Sequence, residues 1–111
     1  MPNDDLTTRQ SKPITAGSPA LNPGAIASML KSLPGWQQQS GEIRKTYAFK
    51  NYYETMAFVN ALAFISHRED HHPDLEVGYN KCTVRYSTHS VGGLSENDFI
   101  CAAKVEALMS A

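Results

Sequence analysis

Residues 67–98 read HREDHHPDLEVGYNKCTVRYSTHSVGGLSEND, and this stretch decides the fold. Leu75, Val77 and Tyr79 alternate as one strand, with a turn at Asn80-Lys81. Cys82, Val84 and Tyr86 then alternate against Thr83, Arg85 and Ser87 in a second strand that ends near Thr88-His89. Alternation of apolar and polar residues is the mark of a half-buried strand. Pro73 closes whatever helix precedes it by about His72, because proline disfavours helical backbone in the residue before it. Gly92-Gly93 breaks the chain, and Ser95-x-x-Asp98 is a capping box for a last helix running to about Met109. Its apolar side draws on Phe99, Ala102, Ala103 and residues 105–108.

The same signals recur upstream. Asn22-Pro23 predicts an N-cap and first helical residue, followed by Ile26, Met29, Leu30 and Leu33 at helical spacing until Pro34-Gly35. Residues 36–39, the Ser40-Gly41 turn and residues 42–49 predict a hairpin. In it Ile43, Tyr47 and Phe49 point one way with the stem of Lys45, and Glu42, Arg44 and Thr46 the other. Asn51 opens a further helix with Glu54 as capping-box partner, and Met56, Val59, Leu62, Ala63, Phe64 and Ile65 form its apolar stripe to about Ser66. The order is α-β-β-α-β-β-α. It implies an α+β fold, a four-stranded antiparallel sheet with three helices on one face and a bare face suited to assembly.

Residues 1–21 hold Pro2, Pro13 and Pro19 and no apolar periodicity. They are expected to be a mobile, dispensable extension ahead of one domain over 22–111. Ten basic and eleven acidic residues leave no basic excess, which argues against nucleic acid as a partner. No run approaches the roughly 18 apolar residues of a membrane-spanning helix, and the first residues have no apolar core of a secretory signal. Cys82 and Cys101 lack the spacing of a CxxC or zinc motif. Reduced, buried thiols in a cytoplasmic protein are the expectation.

All four histidines, His67, His71, His72 and His89, fall within residues 67–98. Imidazole gives and takes protons near neutral pH, so the clustering points to one proton-handling or metal-binding site. His67 and His71 are four apart and would share a helix face if the helix reached that far. Asp70 can orient an imidazole, and an antiparallel sheet can bring His89 beside the loop carrying His71 and His72. Each residue has a plainer reading. His72 can be a turn residue, His67 a cation at a helix C-terminus, Asp98 a cap alone and Trp36 a core aromatic. Three histidines and a carboxylate can hold zinc or iron, although no HExxH occurs. They can equally perform metal-free general acid–base catalysis. Residue chemistry leaves both open.

The pattern His67-x3-His71-His72-Pro73-x5-Tyr79-x9-His89-x8-Asp98 closely resembles the signature of the pterin-4a-carbinolamine dehydratases. The similarity extends to Leu33-Pro34-Gly35-Trp36, Tyr47-Ala48-Phe49, Ser87-Thr88-His89 and residues 92–99, so it covers about 22–109. The resemblance implies dehydration of 4a-hydroxytetrahydropterins to quinonoid dihydropterin, serving aromatic amino acid hydroxylases. It implies no metal or organic cofactor and assembly as a homodimer or homotetramer. By position His71 and His89 match the family's acid–base histidines, and His72 the histidine that holds the pterin; these three are the expected catalytic set. Asp70, Ser87, Thr88 and Ser90 match positions lining the pterin pocket, and Trp36 a tryptophan near it, with His67 and Asp98 in support. Many animal members carry glutamate in place of His67. Ser90 stands where others have an acid, and Leu75 where some have an aromatic. Some relatives lack a hydroxylase partner, and a few serve as assembly or gene-regulatory helpers. A non-catalytic binding module on this fold is therefore the first rival reading, and a histidine-cluster metalloenzyme the second.

Overall fold

The computed structural model describes residues 6–110. After a helical turn at 6–8 come α1 (Pro23–Leu30), β1 (Gln37–Gln39), β2 (Glu42–Ala48), α2 (Tyr52–Glu69), β3 (Asp74–Val77), β4 (Lys81–Tyr86), a 3-10 turn (His89–Val91) and α3 (Glu96–Leu108). The four strands form one antiparallel sheet in the order β1-β2-β4-β3. This is the α+β architecture that the periodicities imply.

Local chemistry sets each boundary. The Asn22 side chain accepts the Ala25 N–H at 2.8 Å and starts α1. Ser40 and Gly41 both have positive φ, 53° and 77°, as a two-residue hairpin turn requires to match the twist of its strands. Asn51 accepts the Glu54 N–H at 2.9 Å, while the Glu54 carboxylate reaches back to the Lys50 N–H at 2.9 Å, one residue ahead of the cap. Asp70, with φ 51°, ends α2 in the left-handed conformation.

Strand register sorts the side chains. Ile43 and Tyr47 of β2 and Cys82, Val84 and Tyr86 of β4 are buried in one cluster with Ile26 of α1, Phe58 and Leu62 of α2 and Phe99, Ile100, Cys101, Ala102, Ala103 and Val105 of α3. The other face carries Glu42, Arg44, Thr46, Thr83, Arg85, Asp74 and Glu76, matched across the strands. There Arg85 lies between Glu76 at 2.5 Å and Glu42 at 3.5 Å, and the Thr46 and Thr83 hydroxyls meet at 2.7 Å.

Three expectations change. The buried stripe of α2 is Thr55, Phe58, Leu62 and Ser66. Phe64, assigned to the stripe by hydrophobicity alone, is 62% exposed. Tyr79 is not in β3 but in the following turn, where it stacks on Tyr52 at 6.5 Å; the register β3–β4 leaves Gly78 to close the hairpin on Lys81 O at 2.8 Å. Residues 6–21, read from composition as a mobile extension, are laid along α3, while residues 1–5 lie outside the described residues. Leu6 is only 4% exposed and belongs to the core, a burial worth about 1.5–3 kcal/mol. The rest is held largely through its backbone, with Ser11 N–H on Glu69, Lys12 on Asn97, Thr7 O on Lys104 and Leu21 N–H on Leu94 O, and by the side chains of Arg9 on Glu96 and Ser11 on Cys101. Hydrogen bonds of this kind leave no apolar period to read.

At one end of α3, Glu106 accepts from Tyr47 Oη at 2.5 Å, Lys45 Nζ at 2.9 Å and Trp36 Nε1 at 3.1 Å. The Lys45 stem passes so close to Gly35 that a Cβ there would meet its Cε at 2.9 Å. Burial disfavours the Glu106 charge, but the bonds from Tyr47, Lys45 and Trp36 outweigh it and hold the carboxyl below its ordinary value. As pH falls, the unfolded chain therefore takes up this proton first. The stabilisation is full above the unfolded value of about 4.3 and is lost as pH falls through the lower folded value. Glu106→Gln should lower unfolding free energy at pH 7 by about 1.5–3 kcal/mol. Denaturant melts should show the gap from wild type narrowing below about pH 4; an equal gap at all pH values would contradict this account.

Candidate active site

β4 ends at Tyr86, opposite Ile43 near the start of β2, and Arg85 lies opposite Asp74 at the start of β3. Three segments therefore meet at one end of the sheet: residues 71–73 entering β3, residues 87–93 leaving β4 and the Ser40-Gly41 turn entering β2. Within 87–93 the Thr88–Gly93 bridge draws the chain into a narrow loop, with Thr88 N–H on Gly93 O at 2.8 Å. The 3-10 turn inside that loop carries His89. A cleft of about 270 Å³ opens between the hairpin turn and this loop, lined by Ser40, Glu42, Ser87, Thr88, His89 and Gly93 among others.

Asp98 is fully buried and accepts three hydrogen bonds. His71 Nε2 lies 2.6 Å from its Oδ1; Thr88 Oγ1 donates to Oδ2 at 2.7 Å and the Ser95 N–H at 2.9 Å. The Ser95 hydroxyl meets Thr88 Oγ1 at 2.7 Å. With Asp98 as a carboxylate, which only accepts, the donor to Oδ1 is the His71 Nε2–H. Its Nδ1 is then the lone-pair nitrogen when the ring is neutral. The ring is parallel to that of Tyr86, 8° apart with centroids at 5.7 Å, and its side chain is 13% exposed. Tyr86 in turn lies 6.3 Å from Trp36. Tyr86 is buried, and burial first, then Cys101 and Asp98, push its phenol far above the ordinary value, with Ser66 acting in the opposite sense. Neither the Tyr86 nor the Ser66 hydroxyl makes a hydrogen bond of normal length. Tyr86 is thus a neutral, flat support for the imidazole.

Of the residues singled out by sequence, His71, Thr88 and Asp98 form one hydrogen-bonded chain. Ser87, Thr88 and His89 line one cleft. Thr88 belongs to both, and no hydrogen bond, ion pair or ring contact joins His71 to His89 among the described residues. Asp98 is a helix cap and an imidazole partner at once. His72, Asp70 and Ser90 are exposed, with Ser90 O accepting the Gly17 N–H at 3.0 Å. Trp36 is buried, its indole N–H bound to Glu106 and its ring two aromatic layers from His71. His67 is exposed in the last turn of α2. The helix ends at Glu69, so its spacing to His71 does not carry across. Sequence reasoning missed Tyr86 and the turn at 40–42. Parity makes Tyr86 a core residue; that the turn overhangs His89 depends on register between strands distant in sequence. Among the described residues no three His, Cys, Asp or Glu side chains converge in a metal-ligand arrangement, and no helix is long and apolar enough to cross a membrane.

Comparison with known proteins agrees with this architecture. The family model described as Pterin 4 alpha carbinolamine dehydratase matches residues 19–108. The chain belongs to this family. A relative from Nitrosospira multiformis is 60% identical over 105 residues, covering 95% of this chain and 93% of that protein. Another from Nitrosomonas eutropha is 58% identical, covering 95% and 94%. Both are named, provisionally, pterin-4-alpha-carbinolamine dehydratase. A crystal structure from Brucella melitensis, called a transcriptional coactivator/pterin dehydratase, superposes with a TM-score of 0.78 at 30% identity, over 80% of this chain and 97% of that one. A pterin dehydratase-like protein described as a RuBisCO assembly factor in the alpha-carboxysome superposes with a TM-score of 0.57 at 27% identity, over 68% and 88%.

Asp98→Asn tests the hydrogen-bonded chain. It should cost about 1.5–3 kcal/mol, the usual worth of hydrogen bonds to a charged group. It should also abolish the downfield proton resonance expected of a His71 Nε2–H held by a carboxylate. A variant that keeps both its stability and that resonance would show that His71 does not depend on Asp98.

Proposed function

We propose that the chain dehydrates 4a-hydroxytetrahydropterin to quinonoid dihydropterin and water. The observation that carries this reading is the chain His71–Asp98–Thr88, which ends in the cleft containing His89. In the reaction the C4a–O bond breaks, the N5 proton leaves and a C4a=N5 double bond forms. One proton must reach the departing hydroxyl and one must be removed from nitrogen. His71, with Nε2–H fixed on a buried carboxylate, offers Nδ1 as the base. His89, exposed in the cleft, serves as the acid for the leaving hydroxyl. After one turnover each histidine carries the other's proton state, and exchange with water resets them. His72 holds the pterin, and Asp70, Ser87, Thr88 and Ser90 line its pocket, as the family resemblance implies. Orientation of a rigid bicyclic substrate between two imidazoles lowers the remaining barrier.

The same reading includes a metal-free reaction, a homodimeric or homotetrameric enzyme, residence in the cytoplasm and service to an aromatic amino acid hydroxylase. A second reading, a protein-binding helper, is favoured by the coactivator and assembly-factor descriptions of the two structural neighbours. Exposed Tyr53 and Phe64 on α2 suit it as well.

A stopped-flow dehydration assay with freshly made 4a-hydroxytetrahydropterin separates the readings. His71→Ala and His89→Ala should each lower the rate by about 10²- to 10⁴-fold with little change in circular dichroism. A double variant as active as wild type would overturn the mechanism, and an inactive wild-type protein would favour the helper. Treatment with EDTA or a stronger chelator should leave the rate unchanged. Stoichiometric zinc or iron in the purified protein, with activity lost on its removal, would establish a metalloenzyme instead.

A further inference from the structure

Residues 11–21 touch three of the segments around the site. Near its start, Ser11 N–H donates to Glu69 at 2.8 Å, at the last residue of α2 and two before His71. Lys12 forms a reciprocal pair with Asn97: its N–H donates to Asn97 Oδ1 at 3.0 Å, and Asn97 Nδ2 donates to Lys12 O at 2.7 Å. Asn97 is buried and immediately precedes Asp98. Farther on, a turn with Ser18 N–H on Thr15 O delivers Gly17 N–H to Ser90 O, next to His89. Leu21 N–H then reaches Leu94 O, and Ala20 packs so closely that a Cβ on Gly93 would lie 3.2 Å from it.

The segment thus spans three arms: the end of α2 before His71, the first turn of α3 bearing Asp98, and the 3-10 turn bearing His89, the last two joined by residues 92–95. Among the described residues no hydrogen bond, ion pair or ring contact joins His71 to His89; Asp98 links their arms from within through His71 and Thr88, and the segment ties the same arms from outside. The family model starts at residue 19. The Nitrosospira multiformis protein, however, aligns over 95% of the chain, more than residues 22–111 alone can supply. Sequence corresponding to this segment is therefore present in that relative.

We infer that residues 11–21 are a strap that sets the distance between the two histidine-bearing arms, with Asn97 as the positioning residue that fastens it. The inference rests on the proposed dehydratase reading only for its kinetic consequence. Asn97 touches no substrate; it acts through Lys12 and through the arm that carries Asp98. Loss of its two hydrogen bonds leaves the strap anchored at Glu69, Cys101, Ser90 and Leu94 but unfastened from the first turn of α3, so the arms can drift by fractions of an ångström. A misplacement of that order slows the chemical step more than it weakens binding.

The test combines kinetics with nitrogen NMR of the imidazoles, on the full chain well below its melting temperature. Asn97→Ala should lower kcat by about 10-fold with KM changed less than about twofold, and should shift the His89 imidazole signals although Asn97 has no contact with His89. Gly17→Ala, strained at φ 86°, should shift the same signals from the other end of the strap. Asn97→Asp, which keeps the acceptor for Lys12 N–H, should fall between wild type and alanine; should Asn97→Ala not fold, it and Gly17→Ala carry both readouts. Phe58→Leu, a core change in the middle of α2, serves as a control for general destabilisation. Strap variants that lower the melting temperature yet leave the His89 and His71 signals as in wild type would overturn the inference. If wild type shows no dehydratase activity the proposed function fails, and the NMR arm still decides the strap.

Discussion

The structure turns on the burial of one carboxylate. A charged group removed from water is costly unless donors replace its hydration. Asp98 meets this cost with the Ser95 N–H, the Thr88 hydroxyl and the His71 ring. Each donor comes from a different piece of chain: the cap of α3, the loop after β4 and the residue after α2. Satisfying one side chain therefore closes α3, draws the Thr88–Gly93 loop against it and fixes an imidazole by its Nε2. Folding and site assembly are one event at this position. The His71 imidazole is held by the group that caps the helix.

Glu106 performs the corresponding task near the other end of α3. It gathers Trp36 from the loop after α1 and Lys45 and Tyr47 from β2. Between the two carboxylates lies a row of rings, Trp36 tilted 34° to Tyr86 and Tyr86 stacked on His71. Buried side chains in such rows move little because the interior is close-packed. The outer face of the sheet is a different surface, with Arg85 shared by Glu42 and Glu76 and no apolar ridge. Arg44 on the same face bonds the Gln39 amide at 3.2 Å, so the face mixes paired and single charges.

Much of this was legible in the chain. The alternation 82-84-86 against 83-85-87, the Asn51 and Ser95 caps and the Ser40-Gly41 turn are local signals, set by dihedral preference and side-chain period within a few residues. They led to the right elements in the right order. The dense histidines and the resemblance at 67–98 marked the region of the site. The signals failed where several short-range preferences compete. Hydrophobicity assigned Phe64 to the α2 stripe, but the helix turns Phe58, Leu62 and Ser66 inward, and Phe64 lies off that line. The composition of residues 1–21 reads as a loose extension because most attachments of residues 6–21 run through backbone N–H and C=O groups, which every residue has, and the few side chains used, Leu6, Arg9 and Ser11, make no period.

By itself the sequence determined secondary structure, the polarity of each strand face and the set of imidazoles available, since these depend on neighbours along the chain. Only the tertiary structure decided that Asp98 would serve His71 as well as its own helix, and that Tyr86 would lie flat beneath that ring. It also decided that the turn at 40–42 would overhang His89 and that residues 11–21 would bind three arms at once. All of these depend on strand register and on contacts between residues tens of positions apart. A one-residue slip would reverse which side chains face the core, and nothing within a short window of sequence forbids it. The buried carboxylate and its donors are what make a single register the stable one.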